Sequence, residues 1–568
     1  MNARLKQFFP AMNWLMNYRK ENLKGDISAG LTVGVMLVPQ GMAYAMLAGL
    51  PPIIGLYASI IPVIVYALLG TSNQLAVGPV AIVSLMTAAG VGALANGSTE
   101  AYIAYAVLLS LMVGVMQLTL GVGRFGFLVN FLSHPVISGF TSAAALIIGF
   151  SQLKHLLGVN IPRSHHIHEI LMNAFDQISN IEITTFSIGI ASVALLMWLK
   201  KIKPMFPSAL LVVVLSTLVV WFFELNKSGV KIVGDVPAGL PSLSLPTFEW
   251  SVVSQLLPTA IAITMVGFME SISVAKAFAR RNRYDVNPNQ ELIALGAANI
   301  AGSFFKAYPV TGGFSRTAVN GQAGANTPLA SLITAALIAI VLLFLTPLFY
   351  FLPKAVLAAI IMTAVFGLVD IKEVKHLYHV KRSDLALLVV TFFATLTMGI
   401  ETGILTGVGV SLLWVIIRTT RPHVAELGQM PDSDAYRNIA RHPEAKTSDG
   451  LLVLRVDAQF YFGNATFLKD TVKRYVAEAT KPLKAIVIEA ASINQLDSSA
   501  DSTLHELVDE LRTQGIELYF ANVKGPVMDV MHRSALDEKL GRDHFFASLS
   551  NAIDSIRKSL NTRTVSYS

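Results

Sequence analysis

The sequence predicts a polytopic α-helical membrane protein of about 14 spans in two inverted sets of seven, followed by a small α/β domain. Three observations carry that expectation. Hydrophobic residues make up 53% of the 568 positions and charged residues only 14%, against roughly 25% charged in soluble domains. The charge is unevenly placed: residues 27–418 hold long apolar runs, while 419–568 have the charge density of a soluble domain. Helix-breaking residues open the third apolar segment of each set at matching places, Gly78-Pro79 and Gly312-Gly313.

A bilayer core about 30 Å thick needs roughly 20 apolar residues per crossing helix. By that measure the first set of spans falls near 27–46, 51–70, 79–95, 101–121, 134–152, 181–199 and 206–223. The second falls near 255–278, 289–304, 313–323, 327–346, 352–369, 384–399 and 401–418. Basic residues cluster at the N-terminus (Arg4, Lys6, Arg19, Lys20, Lys24), at Lys200/Lys201/Lys203, at Arg280/Arg281/Arg283, at Lys372/Lys375/Lys381/Arg382 and at Arg418/Arg421. An even count of spans puts all of these on one side, which the positive-inside rule makes cytoplasmic. Two sets with an odd number of spans each are then inverted relative to each other. Such repeats commonly bring two broken helices together near the midplane, with their N-termini facing one substrate. The plainer alternative is that Gly and Pro are frequent in membrane helices generally.

The expected layout is a cytoplasmic N-terminal segment (1–26), a transmembrane domain (27–424), a linker (425–447) and the α/β domain (448–562). In the last, strands are expected at Leu451–Val456, Lys484–Ala490 and Ile516–Val523, and helices at Ala500–Thr513 and Gly525–Arg533. Alternation of that kind over about 110 residues indicates one α/β unit. The net charge of +7 resides in short loops, so no nucleic-acid partner is implied. The absence of cysteine rules out disulfides and thiolate metal sites, and it suits a bacterial cytoplasmic membrane protein with both termini inside. The N-terminus has no small-residue cleavage site, so no signal peptide is expected. No Walker loop or nucleophile motif stands in a fitting context and no metal-ligand cluster is found, so an enzyme is not expected. His165, His166 and His168 read as solvated loop residues and Glu401 as a residue of the membrane surface.

One residue points to function. Arg316, in Tyr-Pro-Val-Thr-Gly-Gly-Phe-Ser-Arg-Thr-Ala-Val-Asn (308–320), is a cation inside an apolar region. A charge near the bilayer centre costs at least about 2.5–3.5 kcal/mol, so it usually faces a pathway or a partner. Pro309, Gly312 and Gly313 break the chain, after which a helix can start and place Arg316 in its first turn. Unpaired N–H groups and the helix dipole already make such a turn attractive to anions.

Several motifs resemble one family. Pro51-Pro52-Ile53-Ile54-Gly55-Leu56-Tyr57, Pro62, Tyr66, Gly70-Thr71-Ser72-Asn73 and Gly78-Pro79 are similar to the sulfate permease (SulP) family of anion transporters. Pro39-Gln40-Gly41-Met42-Ala43-Tyr44 resembles its first-helix motif, and Gly313 to Asn320 its tenth-helix motif. The C-terminal part resembles a STAS domain. The resemblance implies a core and a gate domain moving against each other in alternating access, a homodimer, and a STAS module beneath the membrane that can bind a cytoplasmic protein partner.

On this reading a small anion lies between the half-helices starting at Pro79 and Phe314. The N–H groups of Val80, Ala81, Phe314, Ser315 and Arg316 and the Ser315 hydroxyl would hold it. The family motif adds Gln40 and Tyr44; their alternative is interhelical hydrogen bonding. Val80 stands where relatives carry an aromatic residue. Glu270, in the eighth span, matches the family's acidic position. It suits a proton carrier, or a Na⁺ site with Ser271 and Ser273; its alternative is a buried partner for Arg316. No other cofactor or metal is expected. Gln495-Leu496-Asp497-Ser498-Ser499-Ala500 resembles the phosphorylated loop of anti-sigma-factor antagonists, with Ser499 as regulatory phosphosite or, more simply, helix N-cap. The expected function is secondary active transport of an oxyanion, sulfate foremost, by coupling to H⁺ or Na⁺ or by exchange. Bicarbonate or dicarboxylate transport, and a membrane-anchored STAS regulator, are the alternatives.

Overall fold

The computed structural model describes residues 9–92, 94–95, 97–127, 133–161, 167–202, 206–431 and 433–565. Arg4, Lys6, His165, His166 and Lys203 lie outside the described residues, as does the side chain of Glu401. Two compact units result, Met1–Ser411 and Leu412–Ser568.

The first set of membrane helices is α1 (Lys20–Leu47), α2 in two pieces (Pro52–Tyr57 and Ile61–Leu69), α3 (Ala81–Gly92), α4 (Thr99–Val122), α5 (His134–Ser151), α6 (Ile183–Ile202) and α7 (Ser208–Phe222). The second is α8 (Trp250–Asn282), α9 (Pro288–Ser303), α10 (Phe314–Gln322), α11 (Leu329–Ile340), α12 (Lys354–Val365), α13 (Arg382–Met398) and α14 (Ile400–Thr420). Each expected span has its helix. Among the described residues, nine helices are long and apolar enough to cross a membrane outright, and α3 and α7 are shorter apolar helices. The span expected at 51–70 is interrupted between Tyr57 and Ile61, and Pro62 stands in the first turn of its second piece. The one expected at 327–346 leaves α-geometry at Val341 and ends in a 3₁₀ turn carrying Pro347.

The inverted repeat is visible in the packing. α1 rests on α11 and α10, and its counterpart α8 rests on α4 and α3, while α2 and α9 pack on each other across the pseudo-symmetry axis. These eight form the core domain. In the gate, α5 packs on α13 and α6 on α12 and α7. Small residues allow the closest approaches: a Cβ on Gly55 would lie 1.9 Å from the Gly41 carbonyl oxygen, so α1 and α2 meet backbone to backbone. Buried Asp26 ties the start of α1 to the α10–α11 loop, accepting from the N–H groups of Asn326 (2.7 Å) and Thr327 (3.0 Å) and the Thr327 hydroxyl (2.7 Å).

In the second unit six strands follow the order β4-β3-β5-β6-β7-β8. They are β3 (Val424–Gln429), β4 (Tyr436–Asn438), β5 (Leu451–Val456), β6 (Ala485–Glu489), β7 (Glu517–Ala521) and β8 (Phe545–Phe546). β5 to β8 are parallel, and β3 runs antiparallel to β5 and β4. The stretch 425–447 is thus no plain linker. Ala425 and Leu427 are buried at alternate positions, and β3 and β4 close one edge of the sheet. The two-residue period of β5 divides the core: Leu452, Leu454 and Val456 face one cluster and Leu451 and Val453 the other. The first cluster is covered by α15 (Ala465–Glu478), α16 (Ser498–Thr513) and α17 (Gly525–Arg533). The second is covered by α18 (Leu549–Val565).

Candidate functional site: a cavity at two facing half-helices

The breaks before α3 and α10 cross as a two-stranded antiparallel ladder. β1 (Val77–Gly78) pairs with β2 (Thr311–Gly312), Val77 opposite Gly312 and Gly78 opposite Thr311. Side chains from the core lock this crossing. Asn299 clasps Val310 on both sides, accepting from its N–H at 2.8 Å and donating to its carbonyl at 3.1 Å. The Ser271 hydroxyl accepts from the Gly312 N–H at 2.8 Å and lies 2.7 Å from Thr311 Oγ1. The Ala76 N–H donates to Thr317 Oγ1 at 3.0 Å. Gly78 has φ +151°, a backbone conformation L-residues rarely adopt. Irregular backbone at this depth is tolerated only where protein or a water-filled cavity satisfies it.

Both half-helices open on one cavity of about 400 Å³. Val80, Ala81 and Ile82 line it where α3 begins, and Gly313 to Arg316 where α10 begins. From α1 come Thr32, Met36, Gln40 and Tyr44, a single stripe at four-residue spacing. The gate supplies the facing wall: Leu196 and Lys200 of α6, Phe206 to Ala209 at the start of α7, and Ile360, Thr363 to Val365, Gly367 and Leu368 at and just after the end of α12. The stripe on α1 runs back toward its N-terminus, and the gate contributes the C-terminal ends of α6 and α12 and the N-terminal end of α7. These ends share one membrane face. The cavity therefore extends from the crossing toward the face that carries the basic loops.

Arg316 is 2% exposed, and its Nη1 donates to the Pro79 carbonyl at 2.6 Å, bridging the two half-helices. Its Nε and Nη2 are buried without a protein partner. Among the described residues no carboxylate lies within 4.0 Å of the guanidinium. Glu270 lines the same cavity, its buried Oε2 also unpartnered, so the two do not form an ion pair in this conformation. Gln40 Oε1 is a fourth unpartnered buried atom on the lining. The large majority of buried side-chain polar atoms are paired, and this cavity gathers three residues that each leave one or more without a partner.

Of the residues singled out from sequence, Gln40, Tyr44, Val80, Ala81, Phe314, Ser315, Arg316 and Glu270 all line this cavity. Ser271 and Ser273 do not. The hydroxyl of Ser271 is engaged with Thr311 and Gly312, and Ser273 is exposed elsewhere on α8. Ser499 is exposed in the first turn of α16 but does not cap it. Asp497 is the cap, its carboxylate accepting from the Ala500 N–H at 2.8 Å. An acceptor three residues before that donor reaches it, whereas Ser499 already lies inside the helix. Sequence reasoning missed Thr32, Met36 and the gate wall. Continuing the Gln40–Tyr44 period toward the N-terminus would have found the first two.

Gly313 sets the clearance around the guanidinium. A Cβ there would stand 2.9 Å from Arg316 Nη2, 3.0 Å from its Cζ and 3.2 Å from Val80 Cγ1. Gly313→Ala is expected to displace the guanidinium and cost at least roughly tenfold in anion affinity, about 1.4 kcal/mol. Isothermal titration with an unchanged thermal midpoint would check it.

Two family models cover the chain: the sulfate permease family over residues 23–391 and the STAS domain over residues 442–552. The chain belongs to the sulfate permease family. It is 42% identical over 563 residues to sulfate transporter 4.1, chloroplastic, of Arabidopsis thaliana, covering 96% of this chain and 82% of that one. It is 35% identical over 549 residues to a probable sulfate transporter of Mycobacterium tuberculosis, covering 97% and 98%. The solved structure of the murine Solute Carrier 26 member A9 anion transporter, in the inward-facing state, superposes with a TM-score of 0.91 at 26% identity, covering 98% of this chain and 95% of that one. The transmembrane domain of the cyanobacterial bicarbonate transporter BicA gives 0.60 at 25% identity, covering 70% and 97%. Sulfate permeases with a STAS module are anion transporters rather than enzymes, and the cavity described above lies in the transport domain.

Proposed function

We propose that this sulfate permease is a proton-coupled transporter of small oxyanions, with sulfate as its first substrate. The observation that carries the reading is the buried guanidinium of Arg316, which keeps two unpartnered donors in a residue lining the cavity where two half-helices begin. A tetrahedral dianion fits that donor set. Nε and Nη2 offer two charge-assisted bonds, and the first-turn N–H groups of α3 and α10 offer further donors with favourable dipoles. Gln40 and the Ser315 hydroxyl add neutral donors, and Tyr44 with Val80 forms the wall.

Glu270 supplies the coupling. Moving a dianion into a cell at about −100 mV costs roughly 4.6 kcal/mol, so accumulation needs cations or exchange. Glu270 is the carboxyl on the cavity lining, and it can carry a proton in with the anion. A Na⁺ site is less well supported, because Ser271 is committed to the β2 crossing and Ser273 lies off the cavity. With the basic loops and both termini cytoplasmic, the cavity corresponds to an inward-facing state. Alternating access then follows from the core moving against the α5–α7/α12–α14 gate. The protein works as a homodimer in a cytoplasmic membrane, and exposed Ser499 on the STAS domain is available to a kinase or a protein partner. Bicarbonate remains the second substrate to test, given the likeness to the bicarbonate transporter.

The test is uptake of labelled sulfate, bicarbonate and fumarate into proteoliposomes under imposed pH and Na⁺ gradients. Sulfate uptake driven by an inward proton gradient is expected; no gradient-dependent flux of any anion would overturn the reading. Lys200 adds a prediction. It is the third charged residue on the lining, exposed at the C-terminal end of α6. Lys200→Gln is expected to raise KM for anions from the cytoplasmic side several-fold at low ionic strength, leaving kcat unchanged. The effect should fade as salt shortens the Debye length, measured as uptake kinetics across a salt series.

A further inference from the structure

The segment joining α12 to α13 contains a short helix, Ile371–Val380, capped by Asp370, whose carboxylate accepts from the Glu373 N–H at 3.0 Å. Its surface divides into strips. Ile371, Val374 and Tyr378 follow helical spacing and are 63%, 37% and 56% exposed. Beside them Lys372, Lys375, His376 and His379 are all exposed. Leu377 is buried against the protein, and Glu373 points to α5, its Oε1 3.2 Å from His134 Nδ1. Lys381 stands 4.0 Å from Asp384, and Arg382 lies 5.8 Å from the Tyr378 ring centroid.

An apolar strip flanked by cations, held between two membrane-spanning helices, has the pattern of a helix lying at the bilayer surface. A second helix gives an internal comparison. Ile167–Asp176, between α5 and α6, also exposes apolar side chains, Met172 at 66% and Phe175 at 74%. It contains Glu169 and Asp176 but no lysine or arginine. Both helices have the apolar strip, and only one has the cations.

We propose that Ile371–Val380, with Lys372 and Lys375 as its principal cations, is a binding site for anionic phospholipid headgroups. The helix follows closely on the cavity-lining end of α12 and the turn after it (Thr363 to Val365, Gly367 and Leu368). Headgroup binding would hold this end of the gate at the membrane surface while the core moves.

The test uses the full chain in nanodiscs of phosphatidylcholine with increasing phosphatidylglycerol, and native mass spectrometry to count retained phosphatidylglycerol. Each exposed lysine near the surface is worth about 1 kcal/mol, so Lys372→Gln with Lys375→Gln should weaken retention roughly five-fold per lysine. The control pair Lys227→Gln with Lys231→Gln, in the segment between α7 and α8, removes the same charge elsewhere and should leave retention unchanged. Wild-type retention in the first pair, or an equal loss in both, would overturn the proposal. A change of oligomeric state with retention intact would also overturn it, by making the strip a contact between copies of the chain. The readout is independent of transport, so it stands apart from the fate of the anion-binding site.

Discussion

Arg316→Ala is expected to abolish measurable sulfate binding while leaving the protein folded. Nε and Nη2 are buried with no protein acceptor, so in the bound state both can donate to the anion. Hydrogen bonds to charged groups are worth about 1.5–3 kcal/mol each. Losing two of them removes roughly 3–6 kcal/mol, a hundredfold or more in affinity. The variant also strands the Pro79 carbonyl, which now accepts from Nη1. Arg316→Lys separates these effects, because it keeps a cation but not the planar fork. If the fork matters, lysine should recover only part of the affinity. Unchanged affinity in the alanine variant, with a lowered thermal midpoint, would make Arg316 a strut between the half-helices and nothing more.

Glu270→Gln is expected to separate exchange from accumulation. The substitution preserves shape and removes the proton-carrying group from the cavity lining. Sulfate–sulfate exchange needs no net charge movement and should survive. Concentrative uptake should fail. At about 100 mV each coupled proton offsets roughly 2.3 kcal/mol, which is roughly fifty-fold in the attainable concentration ratio. Counterflow of labelled sulfate against uptake driven by a proton gradient, in the same proteoliposomes, measures both quantities. Proton-driven accumulation persisting in the variant would remove Glu270 from the coupling step.

Most of the membrane architecture is legible because its signals are physical extremes. A lone arginine among apolar residues and paired Gly/Pro breaks have few cheap explanations in lipid, and they locate the crossing at Gly78 and Gly312 directly. The gate wall is a different case. Leu196, Ala209, Ile360 and Val365 are apolar in a span, and nothing in composition separates a side chain facing a cavity from one facing lipid. Lys200 was legible only as a topology signal, since a basic residue at a helix end serves that purpose in any membrane protein. Ser271 stands off the cavity because its hydroxyl completes the backbone of β2, a use set by tertiary contact rather than by sequence neighbours. In the STAS domain β5 and α17 could be read from period alone. β3 and β4 could not, because β3 gains its burial by pairing with β5 and β4 is a short edge strand with no buried residue, both amid a polar stretch that reads as a connector. The cap of α16 was misread by two residues, since Asp497 and Ser499 are both good N-cap types and only the geometry decides between them.

Locating the anion tests the central claim most directly. Selenate has the shape and charge of sulfate, and its anomalous scattering marks its position in a crystal of the wild-type protein. The expected result is one peak between the first turns of α3 and α10, within hydrogen-bond distance of Arg316 Nε or Nη2. A peak held by other residues, with none beside Arg316, would contradict the assignment of this cavity as the transport site.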